Sequence, residues 1–434
     1  MKKWFLGLIL VPLLLWACSV YPDAFADSGI WAMRREGIVM SGVLAYAMMS
    51  FVIVLATRPA WLEQKVNGMD KAYRLHKWAG IGAGLLFFSH WMIKLVPKWL
   101  AGWGWIAAKP GNGGGHGAVS AWISLAKDMG EWMAYLMLAM IAIALLRMIP
   151  YHWFRKIHRL FAVAFLAVTY HAVMLMPVKL WLTPLGMLIA LCALAGSAAA
   201  LLSLSGMIGR RRQVSGTISR IDTLSNGVLE IECRLDGNGL VHRPGQFAYL
   251  RFDGESAHPF TIASSAASPN TLRFAIKPLG DYTQTLAARL HPGQMLRVEG
   301  PYGRFDFAGS AAEQVWVAGG IGVTPFLSRL EDLAKEGSKQ TSIVFFYCTS
   351  GAGKDPYVAR LQQACGAVGV RLEVVDSQRD GYLGFERIAA SLQQPRQAEL
   401  WFCGPAAFGD SLKKAWRGMG LPAQRFHREY FAMR

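Results

Sequence analysis

Six long apolar runs crowd into the first 208 residues, at about 4–20, 37–56, 76–96, 129–149, 157–176 and 180–208. Roughly 20 apolar residues cross a bilayer core of about 30 Å as a helix. The N-terminal part is therefore expected to be an α-helical transmembrane bundle of about six spans. The first run carries a second reading, because Lys2-Lys3, an apolar core and Ala24-Phe25-Ala26 also make a secretory signal with an AxA cleavage site. A lipoprotein reading of Cys18 fits less well, since bulky Trp16 sits two residues before it.

Hydrophobic residues make up 53% of the 434, above the roughly 45–50% of soluble chains. The excess lies before residue 209, and the remainder has the mixed composition of a soluble domain. A formal charge of +17 raises nucleic acid as a partner, but no basic helix or aromatic-studded basic sheet is present. The positive residues flank apolar runs instead. Arg58, Lys65, Lys71, Arg74 and Lys77 fill one short loop, Arg147, Arg155, Lys156 and Arg159 another, and Arg210-Arg211-Arg212 closes the last run. By the positive-inside rule these face the cytoplasm. Loops 21–36 and 97–128 then face out, and the C-terminal half is cytoplasmic, as for a protein of a bacterial inner membrane. Trp99, Trp103, Trp105 and Trp122 read as an interfacial belt, and Glu131 as a residue snorkelling at an outer helix end.

The six cysteines (18, 192, 233, 348, 365 and 403) are scattered, with no CxxC spacing to support an iron–sulfur or structural zinc site. Histidines are more informative. His76 and His90 lie on the third run, and His158 and His171 on the fifth, at separations of 14 and 13 residues. A rise of about 1.5 Å per residue sets the members of each pair roughly 20 Å apart along the membrane normal. The two helices run the same way, so His76 meets His158 near the inner face and His90 meets His171 near the outer face. Two stacked bis-histidine haem sites follow as the expectation. Four ionisable groups in matching register are hard to ascribe to chance in hydrocarbon. At about 100° per residue 14 positions return to one face but 13 do not, so the fifth helix must tilt, carry an irregular turn or use both flanks. Arg74 and Arg159 near the inner layer suit haem propionates or the charge bias of an inner loop equally. His116, in a glycine run, reads as loop.

From Gln213 short alternating stretches (Gly216–Ile221, Val228–Arg234, Phe247–Phe252, Thr271–Lys277) separated by Gly, Pro and Asn predict a small antiparallel barrel ending near Gly303. Strands at 314–318, 342–347 and 371–376 then alternate with helices near 326–336 and 357–364, the order of a parallel α/β nucleotide fold. Six motifs punctuate this half: Pro244-Gly245-Gln246-Phe247, His258-Pro259-Phe260-Thr261-Ile262-Ala263-Ser264, Gly280-Asp281-Tyr282-Thr283, Gly300-Pro301-Tyr302-Gly303, Gly319-Gly320-Ile321-Gly322-Val323-Thr324-Pro325 and Cys403-Gly404-Pro405. In this order they make residues 213–434 resemble a ferredoxin-reductase-type FAD/NAD(P)H module. The whole chain resembles the ferric reductase and NADPH oxidase superfamily of transmembrane flavocytochromes. That resemblance implies a transmembrane di-haem domain at 1–208, an FAD-binding barrel at 213–305 and an NAD(P)H-binding α/β domain at 312–434.

It also assigns roles. Phe260 offers an aromatic surface, and the Thr261 hydroxyl and neighbouring N–H reach the flavin N5 edge, where hydride arrives. His258, Pro259 and Ile262 line the flavin, and Ser264 helps bind the FAD phosphates. Gly280 permits close backbone approach and Thr283 supplies a hydroxyl at a helix start, suited to a pyrophosphate. Lys277 either adds positive charge there or is a solvated strand residue. Gly319, Gly320, Gly322, Thr324 and Pro325 join a strand to a helix whose amides meet the dinucleotide phosphates. Cys403, Gly404 and Pro405 end another strand, with the Cys403 sulfur beside the nicotinamide. Phe431, or next Tyr430, is the aromatic ring expected over the flavin. Thr349, Ser350, Lys354 and Arg379 suit a 2′-phosphate, but no arginine directly follows Cys348, so the choice tilts only slightly from NADH to NADPH. The implied activity is an NAD(P)H-dependent oxidoreductase passing electrons through FAD and two b-type haems. The acceptor is oxygen (giving superoxide), a ferric chelate or a periplasmic protein. A membrane-anchored flavin reductase without haem, and a haem-binding sensor or assembly protein, are the alternatives.

Overall fold

A computed structural model describes residues 2–20, 29–109, 118–145, 151–252, 255–309, 311–337 and 342–429. The Ala24–Ala26 cleavage site, Arg147, His116, Tyr430 and Phe431 lie outside the described residues. The chain forms two compact units, Met1–Asn67 with Lys71–Ile208, and Gly68–Asp70 with Gly209–Arg434.

The first unit is helical: α1 (Lys2–Val20), α2 (Ile30–Ala56), the short α3 (Ala60–Val66), α4 (Met69–Gly102), α5 (Ala118–Leu145), α6 (Tyr151–His158), α7 (Leu160–Leu175) and α8 (Pro184–Leu204). Among the described residues five helices are long and apolar enough to cross a membrane: Lys3–Val20, Ile30–Ala56, Met69–Gly102, Trp153–Leu175 and Pro184–Leu204. α5 is also 28 residues long, but carries Lys127, Asp128 and Glu131 in its first half. Several helices outrun the apolar runs that announce them. α4 has 34 residues, about 51 Å at 1.5 Å per residue, because backbone hydrogen bonding continues into polar sequence beyond the hydrocarbon. Glu131 forms an ion pair with Lys94 at 3.1 Å and so ties α5 to α4. Trp99, Trp103, Trp105 and Trp122 are exposed.

Small residues and hydroxyls bring the helices together, as lipid tails supply no hydrophobic drive between them. A Cβ on Gly196 of α8 would lie 2.3 Å from the Phe165 ring of α7. Ser50 donates to the Cys192 carbonyl at 2.8 Å, and Tyr46 to Thr169 Oγ1 at 3.0 Å. These bonds join α2 to α8 and α7.

The second unit opens with a six-stranded antiparallel sheet, β1 (Gln213–Thr223), β2 (Leu229–Leu235), β3 (Phe247–Phe252), β4 (His258–Thr261), β5 (Thr271–Ile276) and β6 (Met295–Tyr302), with α9 (Asp281–Arg289) between β5 and β6. Its order is β4-β3-β6-β1-β2-β5, and a bridge between Ile262 and Phe274 nearly closes it into a barrel. Ile218, Cys233, Leu250, Phe252, Leu272, Phe274 and Val298 fill the inside. The Pro244-Gly245 pair sits in a turn in which Gln246 N–H donates to the Arg243 carbonyl at 3.2 Å. Gly245 takes φ +86°, the third-residue conformation of a type II turn with proline at the second position.

A five-stranded parallel sheet follows: β7 (Glu313–Gly319), β8 (Ser342–Thr349), β9 (Arg371–Asp376), β10 (Glu399–Cys403) and β11 (Phe426–Arg428), with α10 (Thr324–Glu336), α11 (Pro356–Val368), α12 (Phe385–Ala390) and α13 (Ala406–Gly418). The order is β11-β10-β7-β8-β9. Central β7 is buried on both faces, hence its unbroken Val315-Trp316-Val317-Ala318 run. The chain leaves β7 toward β8 and β9, then returns to β7's other side for β10. A switch point thus opens between the carboxyl ends of β7 and β10.

Replacing Gly245 by alanine would force a side chain into the left-handed region and set its Cβ 1.8 Å from the Phe305 carbonyl. A loss of about 1–3 kcal/mol is expected, read as a melting temperature several degrees lower for the detergent-solubilised protein. An unchanged transition would contradict the turn assignment.

Candidate functional site

The membrane unit brings its four histidines together in two pairs. The rings of His76 and His158 lie with centroids 6.0 Å apart at 66°. Two imidazoles on opposite sides of one metal ion, each bonded at about 2 Å, have centroids about 6 Å apart. The spacing therefore admits an iron between them. α6 ends at His158 and α7 begins at Leu160, with Arg159 between them in right-handed helical conformation (φ −65°, ψ −23°). Phe154 and Phe161 flank His158 with centroids at 5.1 and 5.0 Å. The Arg159 guanidinium reaches the Ser203 carbonyl at 3.5 Å.

His90 and His171 line a common cavity of about 490 Å³ among α2, α4, α5 and α7. Tyr46, Phe87 and Trp91 furnish aromatic wall, and Arg34, Lys94, Lys98, Lys109 and Lys127 supply positive charge. That combination of apolar slot and cations suits a flat macrocycle bearing carboxylates.

Hydrogen bonds define which ring nitrogen is available. His76 Nδ1 faces the Val52 carbonyl at 3.1 Å, His90 Nδ1 the Ile38 carbonyl at 3.0 Å, and His171 Nδ1 the Ala126 carbonyl at 2.8 Å. A carbonyl oxygen only accepts, so in each case Nδ1 carries the proton and Nε2 keeps a free lone pair. A histidine that binds a metal through one ring nitrogen commonly gives the proton on the other to such a carbonyl. His158 Nδ1 is buried and finds no acceptor among the described residues. The sequence exposes the histidines but not these partners, since every residue has a carbonyl.

In the barrel, β4 is the terminal strand. Its outer side meets β5 at the Ile262–Phe274 bridge, next to which the Ala263 amide donates to the Arg273 carbonyl at 2.8 Å. His258, Pro259 and Phe260 are half-buried, Thr261 is 9% exposed and Ile262 wholly buried. The His258 ring stacks on Tyr282 with centroids 3.7 Å apart at 13°, a flat platform for which Tyr282 gave no signal beyond its place in the Gly280–Thr283 motif. The Tyr282 hydroxyl lies beside the Glu255 carboxylate, and burial together with this contact pushes the hydroxyl well above its ordinary range. A terminal strand and a stacked aromatic pair fit a flavin dinucleotide. Lys277 and Gly280 are exposed, and a Cβ on Gly280 would meet nothing. Thr283 Oγ1 accepts from the Leu279 and Gly280 amides at 2.9 and 3.1 Å, so it shapes the α9 start. Ser264 is buried, and its hydroxyl accepts from the Arg273 amide at 3.2 Å.

At the switch point the two glycine loops touch. A Cβ on Gly322 would lie 2.3 Å from the Cys403 carbonyl, one on Gly319 2.7 Å from Pro405, and one on Gly404 3.0 Å from the Gly319 amide. Gly320 takes φ +54° and faces open space, leaving its backbone approachable beside the start of α10. Thr324 is buried and donates to the Ile321 carbonyl at 3.2 Å, and Pro325 packs as a buried first-turn residue. Cys403 is 2% exposed, and burial, with Glu429 close by, pushes its thiol well above the ordinary range. Thr349 Oγ1 donates to Asp355 at 2.5 Å, while Asp376 accepts from the Gly351, Ala352 and Gln378 amides at 2.9, 2.8 and 3.0 Å. Those backbone bonds hold the Asp376 carboxyl below its usual range. Ser350 accepts from Gln378, and Arg379 forks onto Asp380. Lys354 is the exposed cation of this loop that forms no ion pair among the described residues.

Comparisons with known proteins agree with this division. Residues 41–169 match the family described as a ferric reductase like transmembrane component, and residues 213–306 match an FAD-binding domain family. The reductase subunit of the stachydrine N-demethylase of Rhizobium meliloti is 29% identical over 206 residues, 44% of this chain and 58% of that one. An NADPH oxidoreductase of Mycobacterium tuberculosis is 27% identical over 207 residues, 45% and 54% of the respective chains. Phthalate dioxygenase reductase, a solved structure, is 17% identical with a TM-score of 0.44, over 51% of this chain and 68% of that one. The chain spans a little over half the length of these two curated relatives. A ferric-reductase-like helical domain followed by an FAD-binding barrel and a parallel nucleotide fold supports a likeness to the ferric reductase and NADPH oxidase-type superfamily, carried by these two matched segments.

Proposed function

We propose that this protein carries electrons from cytoplasmic NAD(P)H, by way of FAD and two b-type haems, to an acceptor on the outer side of a bacterial inner membrane. Residues 1–208 would hold the haems, 213–305 the FAD and 312–434 the dinucleotide. One observation carries the reading: histidines on two helices pair across the membrane unit, three of the four with Nδ1 spent on a carbonyl. An anchor for a soluble reductase would need none of this.

When bound, FAD takes hydride as an electron pair and can release electrons singly, and a haem iron held by two imidazoles changes oxidation state with no open coordination position. The protein's part is placement. His76 with His158, and His90 with His171, would hold the irons, and the Nδ1 bonds of His76, His90 and His171 would leave Nε2 for the metal, fix ring orientation and strengthen those ligands. Arg34 and Lys94 would meet haem carboxylates at the cavity. In the barrel, the β4 edge and the His258–Tyr282 platform would seat the flavin with Thr261 near its reactive edge. Gly280, Thr283 and Lys277 would face the FAD phosphates, and Ser264 would brace the strand behind them.

At the switch point Gly319, Gly320 and Gly322 would let the dinucleotide phosphates reach backbone amides, with Thr324 and Pro325 starting the helix behind them. Gly404 and Pro405 keep the opposing loop close enough for Cys403 to border the nicotinamide. Because burial raises the Cys403 thiol, it stays neutral and positions by contact rather than by charge. Thr349, with Ser350 and Lys354, borders the adenosine end, and the reading favours NADPH. Phe431 completes the proposal as the ring over the flavin. The acceptor takes single electrons: oxygen to superoxide, ferric chelate to ferrous, or a periplasmic carrier protein.

The detergent-purified full chain supplied with FAD should show a b-type α-band of about two haems per chain on anaerobic addition of NADPH. A flavin spectrum without haem would sink the relay and leave an anchored flavin reductase. Haem present with no NADPH oxidation would instead favour a sensor or assembly protein. His171→Ala should halve the haem while leaving NADPH:dye activity unchanged. Cys403→Ala should slow flavin reduction by roughly 10–100-fold without loss of FAD, the scale of a misplaced reactant. Stopped-flow flavin reduction should show no thiol-dependent limb between about pH 7 and 10, whereas a free cysteine would titrate near 8.5; a step there would refute the neutral thiol.

A further inference from the structure

Two glycines in the membrane unit pack directly against histidine rings. A Cβ on Gly130 of α5 would lie 2.2 Å from His171 Nδ1 and 2.3 Å from its Cε1. On Gly42 of α2 it would lie 3.1 Å from His90 Cε1 and 3.3 Å from Nδ1. In both cases the carbonyl accepting the Nδ1 proton belongs to the residue four positions earlier, Ala126 for His171 and Ile38 for His90. In a helix the carbonyl of residue i−4 lies beside residue i, so a glycine there strips the cover from that oxygen. Two different helices thus present the same device, a bared carbonyl beside a missing Cβ, to two histidines of one cavity. Ser41, whose own proton goes to the Gly37 carbonyl at 2.6 Å, adds a second acceptor for His90 Nδ1 at 3.1 Å. The other layer lacks the device. His76 finds the Val52 carbonyl, whose one-turn neighbour is Ala56, and His158 finds no acceptor among the described residues.

We infer that Gly42 and Gly130 are positioning residues of the outer histidine pair, fixing its tautomer and ring planes by letting each imidazole close onto a backbone carbonyl. This rests on the haem reading above. Glycine is a poor helix former and alanine the best, so neither position gains from glycine by local propensity. The clash at Gly130 is with a ring rather than a backbone, so an added methyl would turn His171 rather than unfold α5.

The full-length Gly130→Ala protein, purified with FAD, should carry about one haem per chain in place of two. The low-spin electron paramagnetic resonance signal it loses should be the one that His171→Ala removes. Gly42→Ala, with its looser contact, should keep both haems and shift only that same signal. Gly80→Ala on α4, where a Cβ meets nothing within 4 Å, should match the parent, and all three should keep full FAD content. Two haems with parental signals in Gly130→Ala would overturn the inference, as would an unshifted signal in Gly42→Ala should the first variant fail to accumulate. A parent chain that binds no haem would sink the functional reading itself, a result the variants cannot mimic.

Discussion

An imidazole placed in hydrocarbon must spend one nitrogen before it can offer the other. That requirement organises the helical unit. Both histidines of α4 turn their Nδ1 atoms toward carbonyls of α2, and His171 of α7 turns its own toward α5. These bonds dictate which helices must be neighbours and how closely they approach. Buried polar groups in a membrane are costly unless paired, so the contacts hold register as well as chemistry. The Tyr46–Thr169 and Ser50–Cys192 bonds extend the same logic between the histidine layers and along α8.

In the second unit the corresponding constraint is chain direction. Parallel strands put their carboxyl ends on one side, and the reversal of strand order between β7 and β10 leaves a crevice there. Into it run the Gly319–Gly322 and Cys403–Pro405 loops, packed so tightly that glycine is required on both sides. In the barrel, β4 stands at the end of the strand order and carries the stacked His258.

Much of this was legible in the sequence, and the failures have physical causes. The 14- and 13-residue histidine intervals pointed to two pairs, and the structure sets His76 beside His158 and puts His90 and His171 on one cavity. Strand β4 escaped notice because four residues containing a proline carry no periodicity, and β6 because its Gly300-Pro301 pair resembles a turn. Contact between the two glycine loops was invisible, as it depends on β7 and β10 pairing across 80 residues. Thr349 read as one of four residues suited to a 2′-phosphate, and its proton goes to Asp355. The Ser264 hydroxyl accepts from the Arg273 amide and keeps its own proton to give. Local sequence shows what a side chain can do; its folded neighbours show which of those options is already used.

The turn after β4 has a mechanical meaning. The Ser264 carbonyl accepts from Ser328 of α10 at 2.6 Å, Ser265 donates to Asp332 at 2.5 Å, and the Ala266 amide joins the same carboxylate at 2.9 Å. Arg273 and the Ser265 amide hold Glu331 beside them. The strand that carries Thr261 thus continues directly into the clasp that grips the first helix of the nucleotide fold. The turn after β4 and α10 are tied at several points, so the barrel and the nucleotide fold are joined through side chains as well as through the chain itself.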